Sequence, residues 1–293
     1  MPSTVVVLLV SDEYCTSKGG ISTINLDIAR KLTAAGALVY VTVLTASQED
    51  EKDAERDRVI LLKPVLDPSS SMKPSLEWLT VYHKHHFPHL PATISCIVGH
   101  VPITSTAARR IKEERFQQAK LAMFGHVMPE ETEPYKSDEK ALGVGKKEAS
   151  IQNDIGKADV VFSVGARIYR HYARFLRQRH VDHHIFLPEP SKVFSDANVI
   201  FGEEDNVQKP ERVILSIGRV RNVERLKEKW ADCIEDFITN AKSEFAEARA
   251  FKQKLLASKY WEESHQKFLH ACGISDDSST QAQGGGAEAD DSD

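Results

Sequence analysis

The chain has 293 residues, 41% hydrophobic and 28% charged, enough for two domains or for one large α/β domain with a tail. Its formal net charge of -5 weighs against a nucleic-acid partner, because phosphate binding usually needs a concentrated basic face. The apolar run Val5–Val10 lacks a basic region and a cleavage site, and it is far below the roughly 18 residues of a membrane span, so the expectation is a cytoplasmic chain with no transmembrane segment.

The elements alternate from the start. Thr4-Val-Val-Val-Leu-Leu-Val10 is short, continuous and β-branched, the pattern of a strand buried on both faces. A polar loop runs from Ser11 to Gly20, and Ile24, Ile28, Ala29 and Leu32 then fall at helical spacing, with Ser22 or Thr23 as the expected cap and Gly36 as the stop. Leu38–Leu44 is the next strand, which completes a βαβ unit with a right-handed crossover as the default. Glu49–Arg58 reads as a charged surface segment and Pro64–Pro74 as a turn-rich connection.

Strands follow at Ile94–Val98, Lys120–Phe124, Val160–Val164 and His184–Leu187, with helices at Ser105–Glu114, Lys146–Lys157 and Ala166–Arg179 between them. Arg167, Arg170, Arg174, Arg177 and Arg179 read as one solvated helix face. The fold class is therefore α/β, a Rossmann-like, doubly wound, mostly parallel sheet. After Pro190 the character changes: one more strand at Arg212–Gly218, then charged, Ala-rich helical sequence over Glu224–Ser258, and a closing helix over about Lys259–Cys272. From Gly273 the composition is that of a disordered acidic tail. The expected domains are 1–190, 191–272 (one strand plus helices) and the tail 273–293.

Lys18-Gly-Gly-Ile-Ser-Thr23 lies where a doubly wound fold binds phosphate. Glycines at a strand-to-helix turn let backbone N–H groups approach an anion, and the helix N-terminus adds partial positive charge. A phosphate loop of the ParA/MinD ATPase kind also opens with Lys-Gly-Gly, but it needs a lysine and then Ser/Thr at the helix start, where Thr23 and Ile24 stand here. A nicotinamide-dinucleotide fingerprint fails for want of GxGxxG. Cys15, Cys96, Cys233 and Cys272 form no CxxC pair and read as reduced thiols. The clusters His83, His85, His86, His89 and His180, His183, His184 show no HExxH spacing, so no metal is expected. A Ser-His-Asp hydrolase has no GxSxG elbow to support it.

Gly-Gly-Ile-Ser-Thr23, its helix and Ala35-Gly-Ala-Leu-Val-Tyr-Val41 together resemble the acceptor-side opening of the family-4 GT-B glycosyltransferases. The resemblance places Gly19 and Gly20 against the donor's phosphates. Ile97-Val-Gly-His100 and Met123-Phe-Gly-His126 resemble the family's strand-end histidines; His126 is implied to contact the reacting sugar, and His100 is its counterpart one strand earlier. Asp159-Val-Val-Phe-Ser-Val-Gly165 resembles the strand that leads to the acceptor side, with Gly165 and Arg167 toward the cleft. Leu187-Pro-Glu-Pro-Ser-Lys-Val-Phe194 is an altered form of the interdomain linker. Val213-Ile-Leu-Ser-Ile-Gly-Arg219 resembles the first strand of the donor domain, with Arg219 and Lys227 in the places of the two cations that offset the diphosphate.

The resemblance covers residues 4 to 227. Further βα units and the Glu-x7-Glu motif of a complete donor domain are not evident, and Glu235 and Glu244 are off in spacing. It implies retaining transfer of a hexose from a nucleotide sugar to a hydroxyl acceptor, with no cofactor, carried out by a chain whose donor domain is shortened. The alternative is a non-catalytic binding or scaffold module, a pseudoenzyme derived from such an enzyme. Donor, acceptor and protein partners are not readable from the sequence.

Overall fold

The computed structural model describes residues 4–14, 19–66, 72–196, 243 and 246–275. In chain order the elements are β1 (Val6–Leu9), α1 (Gly20–Ala34), β2 (Leu38–Thr42), α2 (Gln48–Arg56), β3 (Val59–Leu62), α3 (Leu76–Thr80), α4 (His83–His86), β4 (Cys96–Val101), α5 (Ser105–Arg115) and β5 (Lys120–Gly125). They continue with α6 (Pro129–Thr132), α7 (Asp138–Leu142), α8 (Val144–Ile155), β6 (Val160–Val164), α9 (Ala166–Gln178), β7 (Asp182–Phe186), α10 (Lys192–Asp196) and α11 (Glu262–Ala271). Residues 246–258 are helical as well. The strand expected at Arg212–Gly218 lies outside the described residues.

The seven strands form one parallel sheet in the order β3-β2-β1-β4-β5-β6-β7. Val7 pairs with Val39 of β2 on one side and with Cys96 of β4 on the other, and Val39 pairs with Val59 of β3. The chain thus winds outward from β1 through β2 and β3, then crosses back to lay β4 on the other edge of β1. That reversal between β1 and β4 is the topological switch point, the place where open α/β sheets bind ligands beyond the carboxyl ends of their strands.

The described residues fall into two compact units, one within Met1–Phe124, Ala158–Val161 and Gln266–Asp293, the other within Gly125–Lys157 and Phe162–His265. In the first, Val7, Leu8, Leu9, Val39, Val41, Ile97 and Val98 are fully buried, the signature of strands covered on both faces. Asp159 anchors the start of β6 there: one carboxylate oxygen accepts from the Leu121 amide and from Lys112 Nζ, each at 2.7 Å. Phe268 of α11 packs edge-on against Phe124 at 5.3 Å between ring centroids. The buried Cys96 and Cys272 are free thiols, and a hydrogen bond between them, with burial, pushes Cys272 well above the usual thiol range.

In the second unit, Phe162 meets Phe186 edge-on and Phe186 stacks on His265. Ser264 Oγ accepts from the Leu187 amide at 3.1 Å. Glu133 is buried between α6 and α8. Burial alone would raise its pKa, but Lys136 Nζ and Lys147 Nζ, at 2.5 and 2.6 Å, more than reverse this and hold it down at about 2.

Two local expectations change. Neither Ser22 nor Thr23 caps α1: the N-cap is Gly19, Ser22 is buried inside the helix, and Thr23 Oγ1 donates back to the Gly19 carbonyl at 3.2 Å. Glu49–Arg58 is mostly helix, started by a capping box in which Ser47 and Asp50 satisfy each other's backbone N–H, with Ala54 buried beneath. The histidine cluster at His83–His86 forms the short α4, pinned by the stacking of His86 on Trp78 at 3.6 Å.

Candidate functional site

In the first unit, two hydrogen bonds lock the exit of β1 to the end of β2. The Ser11 amide donates to Thr42 Oγ1 at 3.0 Å, and Thr42 Oγ1 donates to the Ser11 carbonyl at 2.8 Å. Ser11 Oγ then donates to the Glu13 carbonyl at 2.7 Å, and the Glu13 residue is buried. α1 opens at Gly19, whose φ of 109° lies in the region that favours glycine. No side chain among the described residues caps this helix, and its first turn holds no acid. Among the described residues, a Cβ at Gly19 or Gly20 would meet nothing within 4 Å. The N-terminus of a 15-residue helix that no described side chain caps or crowds is an anion-binding geometry.

Beside it, at the switch point, the buried Asn25 of α1 accepts from His100 Nε2 of β4 at 3.0 Å. The His100 amide donates to Thr104 Oγ1 at 3.0 Å, and the imidazole lies 5.3 Å from the Phe124 ring. The Asn25 oxygen selects the tautomer that carries the proton on Nε2. His100 is thus a buried, oriented histidine that ties β4 to α1. Asn25 Nδ2 is buried and has no hydrogen-bond partner among the described residues.

In the second unit, His126 follows directly on the end of β5. It is half-buried, and its crowded surroundings disfavour the imidazolium, lowering the pKa to about 4. A neutral ring both donates and accepts, which suits contact with a hydroxyl. Gly125 leaves ordinary contact distance, 3.5 and 3.6 Å from a Cβ position, to Ser163 Oγ of β6 and Ile168 of α9. The end of β5 and the start of α9 are therefore neighbours, which brings His126 close to the turn of Gly165 and Arg167.

Gly165 has φ 90°, and no described residue lies within 4 Å of its Cβ position. Arg167 is exposed and pairs with Glu131. Behind this turn, Ser163 Oγ and His183 Nε2 are hydrogen-bonded at 2.8 Å, and Tyr169 stacks on the His183 ring at 4.2 Å. Burial, with His184 adding to it, lowers His183 to about 4. Neither the Ser163–His183 pairing nor that of Asn25 with His100 was legible in the sequence, because each hydrogen bond joins residues far apart along the chain. Arg219 and Lys227 lie outside the described residues, as do Glu235 and Glu244. Among the described residues no group of three His, Cys, Asp or Glu side chains could hold a metal ion. No helix among them is long and apolar enough to cross a membrane.

A protein family described as "Family 4 Glycosyltransferase in conflict systems" matches residues 8–227. That span includes Gly19, Gly20, His100, His126, Gly165, Arg167, Arg219 and Lys227. No curated protein matches the chain. Among solved structures, "The structure of BdcA (YjgI) from E. coli" is similar at 13% identity and a TM-score of 0.32, over 62% of this chain and 96% of that one.

Proposed function

The chain belongs to the family 4 glycosyltransferases of conflict systems, and on that premise we propose that it transfers a hexose, with retention, from a nucleotide sugar to a hydroxyl acceptor. The observation that carries this reading is the N-terminus of α1 at Gly19–Gly20, with no acid in its first turn and no side-chain cap among the described residues. It offers backbone N–H groups and a partial positive charge to a diphosphate. Breaking the glycosidic bond leaves that diphosphate with added negative charge, and groups already aimed at it stabilise the transition state more than the ground state. Arg219 and Lys227 supply the remaining cations in this reading. His126, neutral at pH 7, holds a sugar hydroxyl by hydrogen bonding, and Gly165 and Arg167 face the acceptor.

The test is turnover. The full chain is incubated with uridine- and guanosine-diphosphate sugars, and release of the nucleoside diphosphate is followed by phosphorus NMR. The reading expects release that falls about 100-fold or more in His126→Ala with Tm nearly unchanged, the size typical of losing a group that acts in the transition state. Equal turnover in wild type and His126→Ala would remove His126 from the chemistry. Absence of release from every donor would leave the fold as a binding module.

A further inference from the structure

The sequence treats the arginines of α9 as a solvated face; their placement carries more. At 3.6 residues per turn, Arg167, Arg170, Arg174 and Arg177 fall within an arc of about 80° and a length of about 15 Å. All four are exposed, while Tyr172 and Leu176 are buried on the other side of the helix. The helix contains no lysine and no acid. Arg167 pairs with Glu131, but among the described residues Arg170, Arg174 and Arg177 have no carboxylate partner. Three guanidinium groups thus stand in line without a carboxylate partner among the described residues, while Glu130, Glu131 and Glu148 meet the helix at His171 and Arg167. Charges beyond about 10 Å are largely screened at 0.1 M salt, so a partner approaching α9 meets the local stripe and not the chain's total.

We propose that this face of α9 is a docking surface for the phosphate backbone of a nucleic acid. Guanidinium forks match phosphate oxygens two at a time, which a lysine face would not do. The spacing sets a row of such contacts along a single rod. A lipid surface fits less well: interfacial helices insert Trp, Phe or Leu beside their basic residues, and the exposed side of α9 presents no large apolar side chain. The proposal rests on Arg170, Arg174 and Arg177, none of which belongs to the proposed donor or acceptor site, and it stands or falls without that site.

The experiment is a fluorescence-anisotropy titration of the full chain into a fluorescein-labelled single-stranded DNA and its duplex, at several salt concentrations. Saturable binding is expected, weakening between 50 and 200 mM salt by about 40-fold on the duplex and about 20-fold on the single strand if three phosphates are neutralised. Arg170→Glu/Arg174→Glu/Arg177→Glu should weaken it at least tenfold, whereas reversal of the exposed Lys52 and Arg56 on α2 should not. The neutral set Arg170→Gln/Arg174→Gln/Arg177→Gln serves if the reversal variant fails to fold by circular dichroism. Binding that is absent at 50 mM salt, insensitive to the α9 variants, or seen only with phosphatidylserine vesicles overturns the proposal.

Discussion

His126 and His183 are each held near pKa 4 by burial, well below the value of about 6.5 expected of an unfolded chain. The unfolded state therefore takes up protons first. The contribution of these two histidines is level above pH 6.5 and falls as pH drops from 6.5 toward 4. Glu133, at about 2, acts in a lower window: its contribution is present above about 4.5 and is lost as pH falls toward 2. Thermal melts from pH 8 to 3 should show Tm declining from pH 6.5, and His126→Ala should flatten the upper part of that decline. A Tm unchanged down to pH 4.5 would contradict the assignment. Steric demands are equally local. A Cβ at Gly99 would lie 2.6 Å from the Ala108 Cβ and 3.1 Å from Met123 Sδ, whereas at Gly125 the nearest atom is 3.5 Å away. Gly99→Ala should cost about 1–3 kcal/mol by overpacking and Gly125→Ala much less, as read by urea denaturation. At this scale the sequence was partly legible. Gly19 and Gly20 announce themselves because a strand-to-helix turn needs them. Asn25 does not, because its role depends on His100, 75 positions on.

At the scale of elements, apolar runs flanked by turns marked β1, β2, β5 and β6 closely, since buried parallel strands leave little doubt about period. β3 escaped notice: it has four residues, one of them exposed, directly after a charged helix. α2 looked like mere surface because its sequence is almost wholly charged; only the Ser47–Asp50 pairing shows that a helix begins there. The cap has a measurable consequence. Ser47→Ala removes the acceptor for the Asp50 amide, at 3.1 Å, and should destabilise the protein by about 1 kcal/mol. Ser22→Ala, inside α1 and not at its cap, tests the contrast in the same denaturation experiment, because it removes no N-cap acceptor. An equal loss in both would show that capping is not what holds α2.

For the molecule as a whole, repeated βα units implied a parallel sheet, and the sheet is parallel. Strand order was beyond the sequence, because nothing in the chain between β3 and β4 says that β4 returns to the free edge of β1. That return creates the switch point where the α1 N-terminus and the Asn25–His100 pair lie, so the phosphate-binding role proposed for Gly19 and Gly20 has a physical setting that spacing alone could not provide. Donor recognition is the claim on which the functional reading rests. It is tested most directly by isothermal titration of the full chain with uridine- and guanosine-diphosphate sugars. The reading predicts saturable heat with at least one donor, reduced by Arg219→Ala and by Gly20→Asp, whose carboxylate would occupy the anion's place at α1. No heat from any donor at millimolar concentration would contradict it.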